Sequence, residues 1–119
     1  MNNVMYQYID LSYMDLMTDG DADMKRTMLE MLLNELPTEM ANMKHLLEQK
    51  DWDALGKASH KMKSSLAFVG NAQLTEANQK IEHFSKAGEN LDQIPALMAT
   101  VEELLGKALA ELKTASEEL

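Results

Sequence analysis

Apolar residues recur along this chain at three- and four-residue spacing, and no segment alternates apolar and polar positions over the length of a strand. That periodicity predicts an all-α protein. A short first helix is expected over about Leu11 to Thr18, ending at "TDGD", where Gly20 can take the left-handed conformation used at helix ends. Asp21 then caps a second helix whose stripe is Met24, Met28, Met31, Leu32, Leu36, Met40, Met43 and Leu47, reaching about Gln49. Pro37 is expected to kink or briefly break it.

The third helix opens at "KDWDAL" with Asp51 as its cap and runs to about Val69, where Gly70-Asn71 makes a break. A fourth carries Leu74, Ala77, Ile81 and Phe84 on one face and stops at Gly88. The last spans roughly Leu91 to Ala115, with Ile94, Leu97, Val101, Leu104, Ala108 and Leu112 as its stripe and Pro95 near its first turn. Four long helices joined by short connections predict an antiparallel up-and-down four-helix bundle with an additional short N-terminal helix against one end. With no repeat, linker or shift of composition, residues 1–119 read as one domain, long enough to bury roughly two-thirds of its unfolded surface.

Composition sharpens this. Apolar residues make up 45% but aromatics only 5%, and eleven are Met, so the expected core is aliphatic and adaptable rather than ring-stacked. The absence of cysteine excludes a disulfide framework, a thiol nucleophile and a thiolate metal site. The opening "MNNVMYQYIDLSYMDL" has neither a basic leader nor a long apolar run, so a cytoplasmic protein is expected. A net charge of −9 repels phosphate backbones, which argues against nucleic acid and anionic membrane as partners.

Chemistry concentrates in "ASHKMKSSLAFVG". At 100° per residue, Trp52, Leu55, Ser59, Met62, Leu66 and Val69 share one arc of the third helix, and His60 lies roughly 140° from its centre, toward solvent. Its neighbours on that side are Gly56, Lys63, Ser64 and Ala67. An ordinary solvent-facing stripe is filled with long polar residues, and Gly inside a helix costs about 1 kcal/mol. Small residues around an imidazole suit the close approach of another protein's surface, and neutral drift on a free surface is the competing explanation. A neutral imidazole, with a reference pKa of about 6.5, is a competent nucleophile toward phosphoryl groups. Lys63, one turn on, is placed to oppose the charge of an incoming phosphoryl group.

Other chemistries find less support. Asp19, Asp21, Asp23 and Glu30 occupy positions one, three, five and twelve of a calcium loop, but Met24 stands where that loop requires Gly. His45, His60 and His83 lack the His-Glu-x-x-His spacing of a helical metal site, so no metal is expected. No Gly-rich phosphate loop, nucleophile elbow or nucleotide signature is present, so neither kinase nor hydrolase activity is expected.

The stretch resembles the signature of histidine-containing phosphotransfer (HPt) domains, Ala-His-x-Leu-Lys-Gly-Ser followed by spaced Gly, Leu and Gln or Glu. Here it reads Ser59, His60, Met62, Lys63, Ser64 and Ser65, then Gly70, Leu74 and Glu82. Ser59 and Ser64 depart from the usual Ala and Gly but remain small. The sequence His83-Phe84-Ser85-Lys86 also fits His-x-x-Lys, yet fails the wider pattern because Gly88 ends its helix at once.

The resemblance implies that His60 accepts a phosphoryl group on Nε2 from a receiver-domain phosphoaspartate and passes it to a second receiver. It further implies that Lys63 holds the phosphoryl oxygens and that Glu82 orients the imidazole through Nδ1. Gly56, Ser64, Ala67 and Phe68 would form the docking face, and Gly70 would supply helix-end geometry. Implied partners are response-regulator receiver domains and a hybrid sensor histidine kinase. No cofactor is expected on this chain, and Mg²⁺ is expected on the partner receiver domain. The reading from another class is a helical-bundle adaptor that binds a signalling partner without phosphorylation.

Overall fold

The computed structural model describes residues 6–119, so residues 1–5 of the expected single domain lie outside the described residues. Helices α1 (Ser12–Met17), α2 (Ala22–Glu48), α3 (Trp52–Val69), α4 (Ala72–Ala87) and α5 (Ile94–Glu117) account for most of it, with a 3₁₀ turn at Leu91–Gln93. No strand occurs among the described residues. Local chemistry sets the boundaries. The Asp21 carboxylate accepts from the amides of Asp23 and Met24, Asp51 from Ala54, and Asn71 from Leu74, each satisfying donors that a helix start leaves unpaired. Gly20, Gly70 and Gly88 close the preceding helices at positive φ.

The protein measures 48 × 21 × 20 Å, as expected when helices of sixteen to twenty-seven residues lie lengthwise. Helix α2 packs against α3 and α5, and α4 packs against the same two, so four long helices enclose a common core. Helix α1 lies on α3. The fully buried centre holds Leu29, Leu36, Met43, Leu55, Met62, Leu74, Ile81, Ile94 and Leu112. Contacts between α3 and α4 run in opposite chain order, Gly56 meeting Ser85 and Ser59 meeting Asn78. Those between α2 and α5 do likewise, Arg26 reaching Leu119 and Lys44 pairing with Glu102.

The structure refines three expectations. Of the kink or brief break expected at Pro37, the break does not occur: α2 continues through this residue, which is exposed. Met24 and Met31 are 52% and 47% exposed, and Leu29 takes the core position instead. In α5, Met98 and Leu105 are buried while Leu97 and Leu104 are only partly so. At these positions the inward face shifts by one residue, a choice that adjacent apolar residues leave open, while Leu32, Leu36, Met40 and Met43 of α2 and Ile94, Val101, Ala108 and Leu112 of α5 are buried as expected.

Ahead of α1, residues 6–11 form a strap across one end of the molecule. The amides of Gln7 and Tyr8 donate to the Glu111 carboxylate at 2.9 and 2.6 Å, Asn71 Nδ2 donates to the Tyr8 carbonyl, and the Asp10 amide donates to the Val69 carbonyl. Gly70 has φ +73°, and a Cβ there would lie 2.2 Å from the Asp10 carbonyl oxygen. Both the backbone conformation and the strap therefore require glycine. Gly70→Ala is expected to cost more than about 2 kcal/mol in urea unfolding, since a left-handed conformation and a displaced backbone add. Gly106→Ala, in the interior of α5 with nothing within 4 Å of the added methyl, is expected to stabilise by up to about 1 kcal/mol.

Candidate functional site

The α3–α4 interface is built around a buried polar pair. Ser59 Oγ lies 2.8 Å from the Asn78 carbonyl oxygen and 2.7 Å from Asn78 Oδ1, and Asn78 Nδ2 donates to the Ser59 carbonyl at 3.0 Å. Both residues are essentially inaccessible. Buried polar groups are tolerated when they satisfy one another, and these do so in only one register of the two helices. One residue beyond Ser59 stands His60, and one helical turn beyond Asn78 stands Glu82.

That register brings His60 and Glu82 together. His60 Nδ1 lies 2.7 Å from Glu82 Oε2; the histidine side chain is 63% exposed and the glutamate 15%. A carboxylate only accepts, so in the neutral ring the proton sits on Nδ1 and the lone pair on Nε2. Lys86 Nζ donates to the same Oε2, also at 2.7 Å. The Lys86 hydrogen bond, and then that from His60, hold the Glu82 carboxyl below its ordinary 4.5 against the opposing effect of burial.

Lys63 is exposed one turn from His60 and makes no ion pair among the described residues. It lines a shallow groove with Gln79, Glu82, His83, Lys86 and Ala87. His83 thus shares the neighbourhood but not the geometry. Its Nε2 faces the exposed Glu89 at 3.3 Å, so the nitrogen that is free in His60 is the one engaged here.

Ser64 and Ala67 are exposed on the His60 side of α3. Phe68 is half-buried, its ring 5.1 Å from that of Tyr13 on α1, so it contributes to packing. Gly56 is the exception to the expected docking face, because it is buried. A Cβ there would sit 3.0 Å from Lys86 Cγ and 3.4 Å from Ser85 Cβ, so its small size admits the neighbouring helix rather than a partner.

Sequence reasoning passed over Asn78 and Lys86. The signal for Lys86 was its i, i+4 spacing from Glu82; for Asn78 it was a polar residue directly after Ala77 on the buried face. Among the described residues no group of three His, Asp or Glu side chains gathers to hold a metal, and no helix is long and apolar enough to cross a membrane.

Asn78→Ala strips the Ser59 carbonyl of its donor and is expected to cost about 1–3 kcal/mol, measured by urea unfolding. Glu82 gives a pH signature. Its native value is lower than its unfolded one, so its contribution is fully present above 4.5 and is lost as pH falls through the native value. The stability advantage of wild type over Glu82→Gln is therefore expected to hold from neutral pH down to that range and shrink below it, as read by denaturant midpoints across pH.

A family model described as "Hpt domain" matches residues 27–115, about three quarters of the chain. No curated protein and no solved structure matches it. The matched span contains α3 and α4 with His60, Lys63, Asn78, Glu82 and Lys86, and on that match the chain belongs to the Hpt domain family.

Proposed function

We propose that this protein is a phosphocarrier of a multistep two-component phosphorelay, with His60 as its phosphoacceptor. The observation that carries this reading is the 2.7 Å contact from Nδ1 of an exposed histidine to a largely buried carboxylate, which in the neutral ring favours the tautomer with its lone pair on Nε2. A histidine present only for solubility has no need of such a partner.

In the proposed transfer the Nε2 lone pair attacks the phosphorus of a receiver-domain phosphoaspartate. The Nε2–P bond forms as the acyl O–P bond breaks, and that electron pair leaves on the aspartate carboxylate. The ring, protonated on Nδ1 and phosphorylated on Nε2, gains positive charge that Glu82 opposes. Lys63 opposes the charge on the phosphoryl oxygens. Delivery to a second receiver reverses the same steps. The chain supplies nucleophile and surface, while the receiver supplies Mg²⁺ and acidic groups, so the protein is not an enzyme on its own.

Ser64, Ala67 and Phe68 form the docking rim in this reading, and a contact at the small end of the interface range suits transient transfer. The opposite running order of the α3–α4 and α2–α5 contacts supports an antiparallel up-and-down arrangement, with His60 on the side of the bundle. The reading places the protein in the cytoplasm, with receiver domains and a hybrid sensor kinase acting in trans.

The test is incubation with a phosphorylated receiver and its hybrid kinase, following acid-labile, base-stable label on wild type, His60→Gln and His83→Gln. Label on wild type and His83→Gln but not on His60→Gln is expected. A folded wild type that takes no label from any of several receivers would move the assignment to an unphosphorylated adaptor.

A further inference from the structure

Two donors converge on one oxygen in this site. Glu82 Oε2 receives His60 Nδ1 and Lys86 Nζ at the same 2.7 Å, while the second cation nearby, Lys63, is left unpaired among the described residues. Lys86 reaches this oxygen by a route the fold keeps open. Its stem lies across the backbone of Gly56, where an added Cβ would fall 3.0 Å from Cγ and 3.7 Å from Cε. Its side chain is half exposed, so the pair is built by the helix surface and not forced by burial.

We infer that Lys86 is a positioning residue for phosphoryl transfer, anchoring Glu82 so that His60 is held with its proton on Nδ1 and its lone pair on Nε2. This rests on the phosphocarrier reading above. The physical case is one of competing partners. Without the ammonium, Oε2 keeps a single donor, from a ring that is itself largely in water, and the carboxylate gains freedom to turn outward. The ring then drifts toward the Nε2–H tautomer that free imidazole prefers, in which the attacking lone pair is masked. The two lysines thus divide the work: Lys63 faces the phosphoryl group, and Lys86 faces the group that aims the nucleophile. Gly56, small for the sake of Lys86, belongs to the same device.

The experiment compares wild type, Lys86→Met, which keeps the stem, and Lys86→Arg, which keeps the charge. ¹⁵N shifts of the His60 ring at a fixed, mildly alkaline pH report the tautomer, and the rate of label uptake from a phosphorylated receiver reports transfer. Thermal unfolding confirms that all three fold alike. Lys86→Met is expected to shift the ring toward Nε2–H and slow uptake by about two- to fivefold, the scale of a half-exposed ion pair. Lys86→Arg is expected to restore both. Unchanged ring shifts in Lys86→Met overturn the inference whatever the rate, because any slowing would then act through the partner; shifted ring signals with an unchanged rate overturn it too. Absence of label on wild type overturns the phosphocarrier reading itself, and the role of Lys86 with it.

Discussion

The hydrogen-bonded lock between Ser59 and Asn78 is the constraint on which the site depends. Two helices with apolar stripes can slide past one another at modest cost, since aliphatic side chains repack. A buried amide facing a buried hydroxyl and carbonyl cannot slide, because every displaced register strands polar groups away from water. Once that register is set, the next residue on α3 and the next turn of α4 place an imidazole and a carboxylate within 2.7 Å. The lock is hidden from solvent, and what it aligns lies at the surface.

Much of this was legible in the sequence, for reasons that differ by element. The caps at Asp21 and Asp51 and the terminating Gly20, Gly70 and Gly88 are local signals, and local backbone chemistry decides them. The burial of Leu55, Met62 and Leu66 followed from an unambiguous stripe. In α2 and α5 apolar residues sit at adjacent positions, Met28 beside Leu29 and Leu104 beside Leu105, so periodicity could not choose which faces inward. Gly56 was misplaced because a helix wheel sees only its own helix, and the chain that covers this glycine comes from α4. Asn78 escaped for a similar reason: an asparagine on an apolar face has meaning only opposite its partner. Glu82 was legible through family spacing, whereas the convergence of Lys86 on the same oxygen needed coordinates.

Charge is distributed as unevenly as polarity. Between Lys57 and Lys86 the chain carries five lysines and two glutamates, although its net charge is −9. The histidine therefore stands in the one basic stretch of an acidic molecule. Of the two glutamates there, Glu82 is committed to His60 and Lys86, and Glu76 pairs with Lys80. Of these lysines, Lys63 and Lys86 line the groove beside Glu82, whereas Lys80 lies in the groove between α4 and α5.

The strap over Gly70 bears on the order in which this architecture assembles. Glu82 is 22 residues from His60 along the chain, whereas the strap bonds join positions 59 to 104 apart. Closing a short loop costs less entropy than closing a long one, so the α3–α4 hairpin is the nearer event and the strap the more distant one. The strap also lies ahead of the residues that match the family, so the shared part of the chain contains the whole of the hairpin and none of its buckle. The His60–Glu82 geometry is thereby made between neighbours in sequence, and the strap is a long-range clasp laid over it.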